Sequence, residues 1–136
     1  MRAVLDTNVL ISGVLSPIGA PGQLLRAWRD GAFELVTSPL LLDELARALA
    51  YPKLARRIVP MDAAAFVSLL RSHSDLRLDP VGPPPVRTRD PNDDFLITLA
   101  ATATSVIVSG DDDLLALAGT IPVFPPAVFL EMIADG

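Results

Sequence analysis

The chain has 136 residues, 51% of them apolar, with 16 acidic against 11 basic side chains and a net charge of −5. That is the size of one ordinary domain with enough apolar content to bury a core. The absence of cysteine excludes a disulfide framework and thiolate metal sites, the single histidine, His73, excludes a multi-histidine zinc site, and the acidic balance argues against a broadly basic nucleic-acid surface. Any bound metal is therefore expected on oxygen ligands, which favours magnesium or manganese. Asp6 interrupts the first apolar stretch, so no secretory signal is read there. No run approaches the ~18 apolar residues of a membrane span, and a cytoplasmic protein with no membrane partner is expected.

Residues 2–5 form a short apolar run that reads as a buried strand ending at Asp6. A short helix is expected over 8–15, then a loop over 16–22 from its proline and glycine content. Residues 23–30 read as a helix stopped by Gly31, and 33–36 as a second strand. Ser38 before Pro39 is a helix start, an N-cap followed by the favoured first-position proline, and that helix runs to about Ala50. A short helix or turn is expected over 53–59. Asp62 reads as the N-cap of a helix over 63–72. The alternation at 74–79 suggests a strand, and the prolines at 80–91 an extended loop. Residues 92–103 read as a helix, 105–109 as a β-branched buried strand, and 111–118 as a helix ending at Gly119. A short strand at 121–124 and a helix over 126–134 complete the chain. The alternation of strands and helices predicts one α/β domain over residues 1–136. Its expected form is a three-layer α/β/α sandwich on a mostly parallel sheet of about five strands.

In such a sheet ligands bind at the carboxyl edge of the strands. Asp6 ends the first strand there, and Ser109, Asp111 and Asp113 end the fourth strand at the same edge. Asp93 opens the helix that feeds the fourth strand, and Glu44 lies in the second turn after the second strand. Helical phase at roughly 100° per residue places Glu44 about 60° from Leu41, on the flank of the apolar stripe, and Asp43 near 200°, toward solvent. The same phase places Asp93 about 40° from the centre of its helix's apolar arc and Asp94 about 140° away. Asp94 then reads as an outward residue that complements the helix dipole. Carboxylates gathered in this way repel one another and need a compensating cation. Taken singly, each has a plainer reading: Asp6 and Asp112 as helix caps, Glu44 as a surface residue, Asp93 as a dipole partner. His73 reads as a helix-end residue and Trp28 as packing. Lys53, Arg56 and Arg57 form a small basic cluster for phosphates, with a solvated face as the alternative.

The segments VLDTNVLIS at 4–12, SPLLLDELARAL at 38–49, RDPNDDFLITLAATA at 89–103 and VSGDDDLLAL at 108–117 occur in one order across nearly the whole chain. In these the chain resembles a PIN-domain ribonuclease of the VapC-like toxin type, with a Rossmann-like fold. The resemblance implies an endoribonuclease dependent on Mg2+ or Mn2+, with Asp6, Glu44, Asp93 and Asp111 as catalytic metal ligands and Asp113 as a further acidic position. It implies support from Thr7, Asn8 and Ser109, the last in place of the threonine many relatives carry. Implied partners are an RNA substrate, a cognate antitoxin protein and a second copy in a homodimer, for which the apolar Leu24, Leu25 and Trp28 offer a face. Three other readings compete. A receiver-like signalling domain needs a lysine at a late strand end, whereas Lys53 is the single lysine here and lies elsewhere. A non-catalytic PIN-fold interaction module is at odds with the full carboxylate set. A flap-endonuclease-type nuclease has no room for its extra DNA-binding elements.

Overall fold

The computed structural model describes residues 1–135. Strand β1 (Arg2–Leu5) leads into helices α1 (Thr7–Leu15) and α2 (Ala20–Arg29), then β2 (Glu34–Thr37) and α3 (Pro39–Leu49). Helices α4 (Pro52–Ala55) and α5 (Pro60–His73) precede the two-residue β3 (Asp75–Leu76). A 3-10 turn at Pro91–Asp93 opens α6 (Asp94–Ala103), followed by β4 (Val106–Val108), α7 (Asp112–Leu115), β5 (Val123–Phe124) and α8 (Pro126–Asp135). Among the described residues no helix is long and apolar enough to cross a membrane.

The five strands are all parallel, in the order β3-β2-β1-β4-β5. The expected α/β sandwich is therefore the observed one. A receiver-like domain would follow the flavodoxin-like order 2-1-3-4-5, so the topology removes that alternative. From β1 the chain steps outward to β2 and β3, then returns to lay β4 on the other side of β1. The order reverses between β1 and β4, which makes their carboxyl ends the switch point where open α/β sheets bind ligands.

Strand residues alternate between two cores, as the period of two requires. Ala3, Leu5, Leu35 and Val108 face α1, α2, α3, α5 and α8, packing on Leu10, Leu24, Trp28, Leu45, Leu70 and Phe129. Val4, Val36, Ile107 and Val123 face the other way, onto Leu96, Leu99, Ala100 and Ala103 of α6 and Leu114 of α7. Leu24 and Trp28 are thus buried inside the protomer, with Leu25 packed partly against them. The α2 face expected to serve a second copy is consumed by the chain's own core.

The helix start at Ser38 is as read: its Oγ accepts from the Leu41 amide at 3.3 Å, with Pro39 in the first turn. Asp79 adds a second cap from far along the chain, its Oδ2 accepting from the Leu40 amide at 2.9 Å. Several boundaries differ from expectation, the strands read at 74–79 and 121–124 shrinking to two residues each. Helix α2 begins at Ala20, inside the expected loop, because Pro21 occupies a first-turn position where its missing N–H costs nothing. Gly22 permits this start, since a Cβ there would collide with the Pro17 backbone. Helix α5 likewise begins at Pro60, with Asp62 as a first-turn charge rather than the cap. Helix α7 stops after Leu115, leaving turns where a longer helix was expected.

Helix α6 ends on Thr104, whose φ of 52° is left-handed. That conformation suits glycine and strains a β-branched residue. Thr104 is exposed, and among the described residues its side chain finds no hydrogen-bond partner to hold it there. Thr104→Gly is expected to stabilise the protein by about 1 kcal/mol, a rise of ~4 °C in Tm by calorimetry; an unchanged or lower Tm would show that the turn is unstrained.

Candidate active site

Asp6 follows the last residue of β1, and its amide donates to the Val108 carbonyl at 3.0 Å, which fastens it to the end of β4. Its side chain does not cap α1, so the plain capping role does not account for it. Instead Oδ2 accepts from the Ser109 hydroxyl at 2.8 Å, and that same hydroxyl oxygen accepts from the Asp111 amide at 3.0 Å. One fully buried serine therefore positions both aspartates. Asp6 is 6% exposed. Burial raises its pKa from the ordinary aspartate value; the Ser109 bond and the nearby Asn8 and Thr7 amides oppose the rise, and Asp111 adds to it.

Glu44 is half-buried in the second turn of α3 while Asp43 is exposed, as helical phase anticipates. Burial raises the Glu44 carboxyl, Asp6 raises it further, and Arg47 one turn on lowers it. Thr7 lies beside this carboxylate and lowers its pKa. Its buried hydroxyl nonetheless has no partner in full hydrogen-bond geometry. Asp93, half-buried ahead of α6, is pushed up to about 7 by burial and then by Asp6, Asp90, Asp111 and Glu44. Four side chains from four separate segments thus share one electrostatic field.

Two findings on the α6 approach depart from the sequence reading. Asp94 is not outward: it is 9% exposed, its Oδ1 accepts from the Thr88 amide at 3.0 Å, and its Oδ2 pairs with Arg87 at 3.3 Å. The segment 86–90 folds over the start of α6 and covers this side chain, a tertiary contact invisible to helical phase. Asp90 was not anticipated. It raises both Glu44 and Asp93, and its Oδ1 accepts from the Asn92 amide at 3.0 Å to start the 3-10 turn. The signal was present, since Asp90 before Pro91 has the same cap-then-proline form as Ser38 before Pro39.

The remaining expected residues divide. Asp113 stands half-buried at the rim, 4.0 Å from Arg89, and is not among the charges that act most on Asp6, Glu44 or Asp93. Asn8 is exposed and lines a groove of about 420 Å3 with Ser12, Pro21, Gly110, Asp111 and Pro126. Lys53, Arg56 and Arg57 are exposed at α4, beyond the far end of α3. Since α3 starts at the carboxyl edge and runs about 16 Å away from it, the structure does not bring this cluster to the carboxylates.

Among the described residues no group of three acidic side chains is drawn in tightly enough to hold an ion. The array is open. Its donor chemistry fits a hard divalent cation: oxygen ligands only, mutually repelling, with the unpartnered Thr7 hydroxyl alongside.

The structure is an all-parallel α/β domain with one buried and three half-buried carboxylates at its switch point. The PIN domain family model matches residues 2–113, and the chain belongs to that family. It is 29% identical over 117 residues to an uncharacterised protein of Methanocaldococcus jannaschii, covering 86% of this chain and 75% of that one. Among solved structures, PAE2754 from Pyrobaculum aerophilum superposes with a TM-score of 0.66 at 16% identity, covering 100% of this chain and 91% of that one. VapBC2 from Rickettsia felis, solved bound to a DNA fragment from its promoter, gives 0.60 at 12% identity, covering 91% and 97%. A domain of a functionally unknown protein from Methanocaldococcus jannaschii gives 0.55 at 15%, covering 91% and 89%. At these identities the structural likenesses speak to fold.

The crowding has a consequence for stability. Asp93 rises from its ordinary 3.8 to about 7, so folding favours its neutral form. Below pH 4 this group costs nothing; between pH 4 and 7 the folded metal-free protein progressively loses stability, and above 7 the loss is constant. Discounted for the solvent screening of a half-exposed group, the loss is about 1 kcal/mol. Asp93→Asn is therefore expected to melt ~4 °C above wild type at pH 8 in EDTA and to match it at pH 4. Equal melting at pH 8 would show that Asp93 is not held out of its ordinary range.

Proposed function

We propose that this protein is a metal-dependent endoribonuclease and the toxin of a toxin–antitoxin pair. The observation that carries the nuclease reading is the convergence of Asp6, Glu44, Asp93 and Asp111 on one field at the sheet's switch point. Membership of the PIN family and the fold shared with VapBC2 support it; the toxin role and an antitoxin partner rest on that likeness and on the matched segments.

Asp6, Glu44, Asp93 and Asp111 would hold one or two Mg2+ or Mn2+ ions, with Asp113 as an outer acidic group. Such an ion lowers the pKa of a bound water, orients a phosphodiester oxygen and stabilises charge in the transition state. The chain's own residues supply the frame. Ser109 holds Asp6 in one rotamer and sets the Asp111 backbone. Burial of Asp6 keeps solvent from screening its charge. Because Asp93 has a pKa of about 7, it carries a proton on its carboxyl through much of the neutral range before a cation displaces it. Attack by water would leave a 5′-phosphate and a 3′-hydroxyl.

The test is RNA cleavage with and without manganese, comparing wild type and Asp6→Asn. Wild type should cleave only with the metal, and Asp6→Asn should lose at least about 100-fold in rate, roughly 3 kcal/mol of transition-state stabilisation. Equal cleavage by the two proteins would sink the assigned site. A 2′,3′-cyclic phosphate product would exclude water as the attacking group.

A further inference from the structure

The acidic site carries an exposed arginine on each flank. Arg89 precedes Asp90 in the segment that leads into α6, and its side chain is 86% exposed. Its Nε lies 4.0 Å from Asp113 Oδ1, the outer limit of an ion pair. So loose and wet a pair contributes almost nothing to stability, and it leaves the guanidinium edge open to another anion. Arg87, two residues earlier, is different: it is engaged by the buried Asp94 carboxylate.

Arg47 is exposed one turn past Glu44 on α3. Long side chains on a helix lean toward its N-terminus, and the N-terminus of α3 is at the carboxyl edge. That is the direction of Glu44, one turn back from Arg47 in the last turn of α3, and the Arg47 charge acts on that carboxylate.

The two arginines belong to opposite flanks. Glu44 follows β2 and Asp113 follows β4, with β1 and Asp6 between them. Two strand spacings separate β2 from β4, about 10 Å, so the two arginines start from backbone positions on opposite sides of Asp6. The groove beside Asp111 on the α1 side has Asp111 and Asp112 but no basic side chain in its lining, so it offers a phosphate no compensating charge. The chain is acidic overall, so a polyanion needs local cations to approach this edge.

We propose that Arg47 and Arg89 bind the phosphates on either side of the one placed at the carboxylates, so that an unpaired RNA strand crosses the carboxyl edge from the β2 flank to the β4 flank. This rests on the nuclease reading above for the identity of the central phosphate. Arginine suits the task because its planar fork pairs with two phosphate oxygens.

The test uses the full chain with Arg47→Gln, Arg89→Gln, both together, and Lys53→Gln with Arg57→Gln as a control, each checked to melt within ~2 °C of wild type. In manganese-dependent cleavage of a short single-stranded RNA, each site variant should raise KM about fivefold with kcat within twofold. Arg89→Lys should recover part of the loss. Binding of the same RNA, followed by fluorescence anisotropy in EDTA, needs no cleavage. The double variant should bind at least tenfold more weakly, with the slope of log affinity against log salt reduced by about 1.4, two single-strand phosphate contacts. The control should match wild type in both assays. If wild type cleaves RNA and the arginine variants leave KM and salt slope unchanged, the flanking contacts are overturned and the nuclease reading stands. If wild type binds without cleaving and the variants weaken binding, the nuclease reading falls and the strand path stands. Wild type that neither binds nor cleaves overturns both. Equal behaviour on DNA of the same sequence would overturn RNA as the preferred strand.

Discussion

Strand β1 pairs with β2 on one edge and with β4 on the other, so its end is held from two sides. Asp6 emerges at that end and is fastened again by its amide to Val108 and by its carboxylate to Ser109. Every other functional group is placed relative to this point. Ser109 passes the constraint to Asp111, α3 carries Glu44 in from the β2 flank, and α6 carries Asp93 in from the opposite face of the sheet. The protein brings distant segments together by anchoring each to the same central strand.

The arrangement sets packing against electrostatics. Two apolar cores hold the sheet from both faces, and that packing fixes the carboxylates within one another's electrostatic field. Asp93 absorbs most of the conflict, since burial and four neighbouring acids all push its pKa the same way. Perturbed carboxylates of this kind cluster at functional sites because the energy they cost is recovered when a ligand of opposite charge arrives. The same logic explains why the cations near the site stand at its rim. Placed inside, Arg47 or Arg89 would neutralise the carboxylates; placed outside, they leave the central charge for a metal while offering contacts to a polyanion.

How much was legible depended on how regular the local backbone is. Helix α3 is a regular helix with a proper cap, so a simple 100° phase separated Glu44 from Asp43. The start of α6 is a 3-10 turn covered by the 86–90 segment. There the phase picked Asp93 as a site residue but turned Asp94 the wrong way, because no helical rule knows what another part of the chain will cover. Asp90 escaped notice although its cap-then-proline signature was the one used at Ser38. Leu24 and Trp28 looked like a partner surface because an amphipathic stripe does not say which neighbour will cover it; α1 and α8 do.

The sequence alone determined the kind of fold and the chemistry on offer. Alternating apolar runs and helical stretches specify a parallel α/β sheet, and the lack of cysteine with a single histidine leaves mainly oxygen ligands for a metal. These follow from local periodicity and composition, which need no coordinates. Tertiary structure alone decided the strand order, and with it the switch point between β1 and β4. It also decided that Asp90 joins the carboxylate field, that Asp94 is used to hold a loop, and that Lys53, Arg56 and Arg57 are remote while Arg47 and Arg89 flank the site. The physical reason is the same in each case: a charge acts over a few ångströms in space, and separation along the chain does not report that distance.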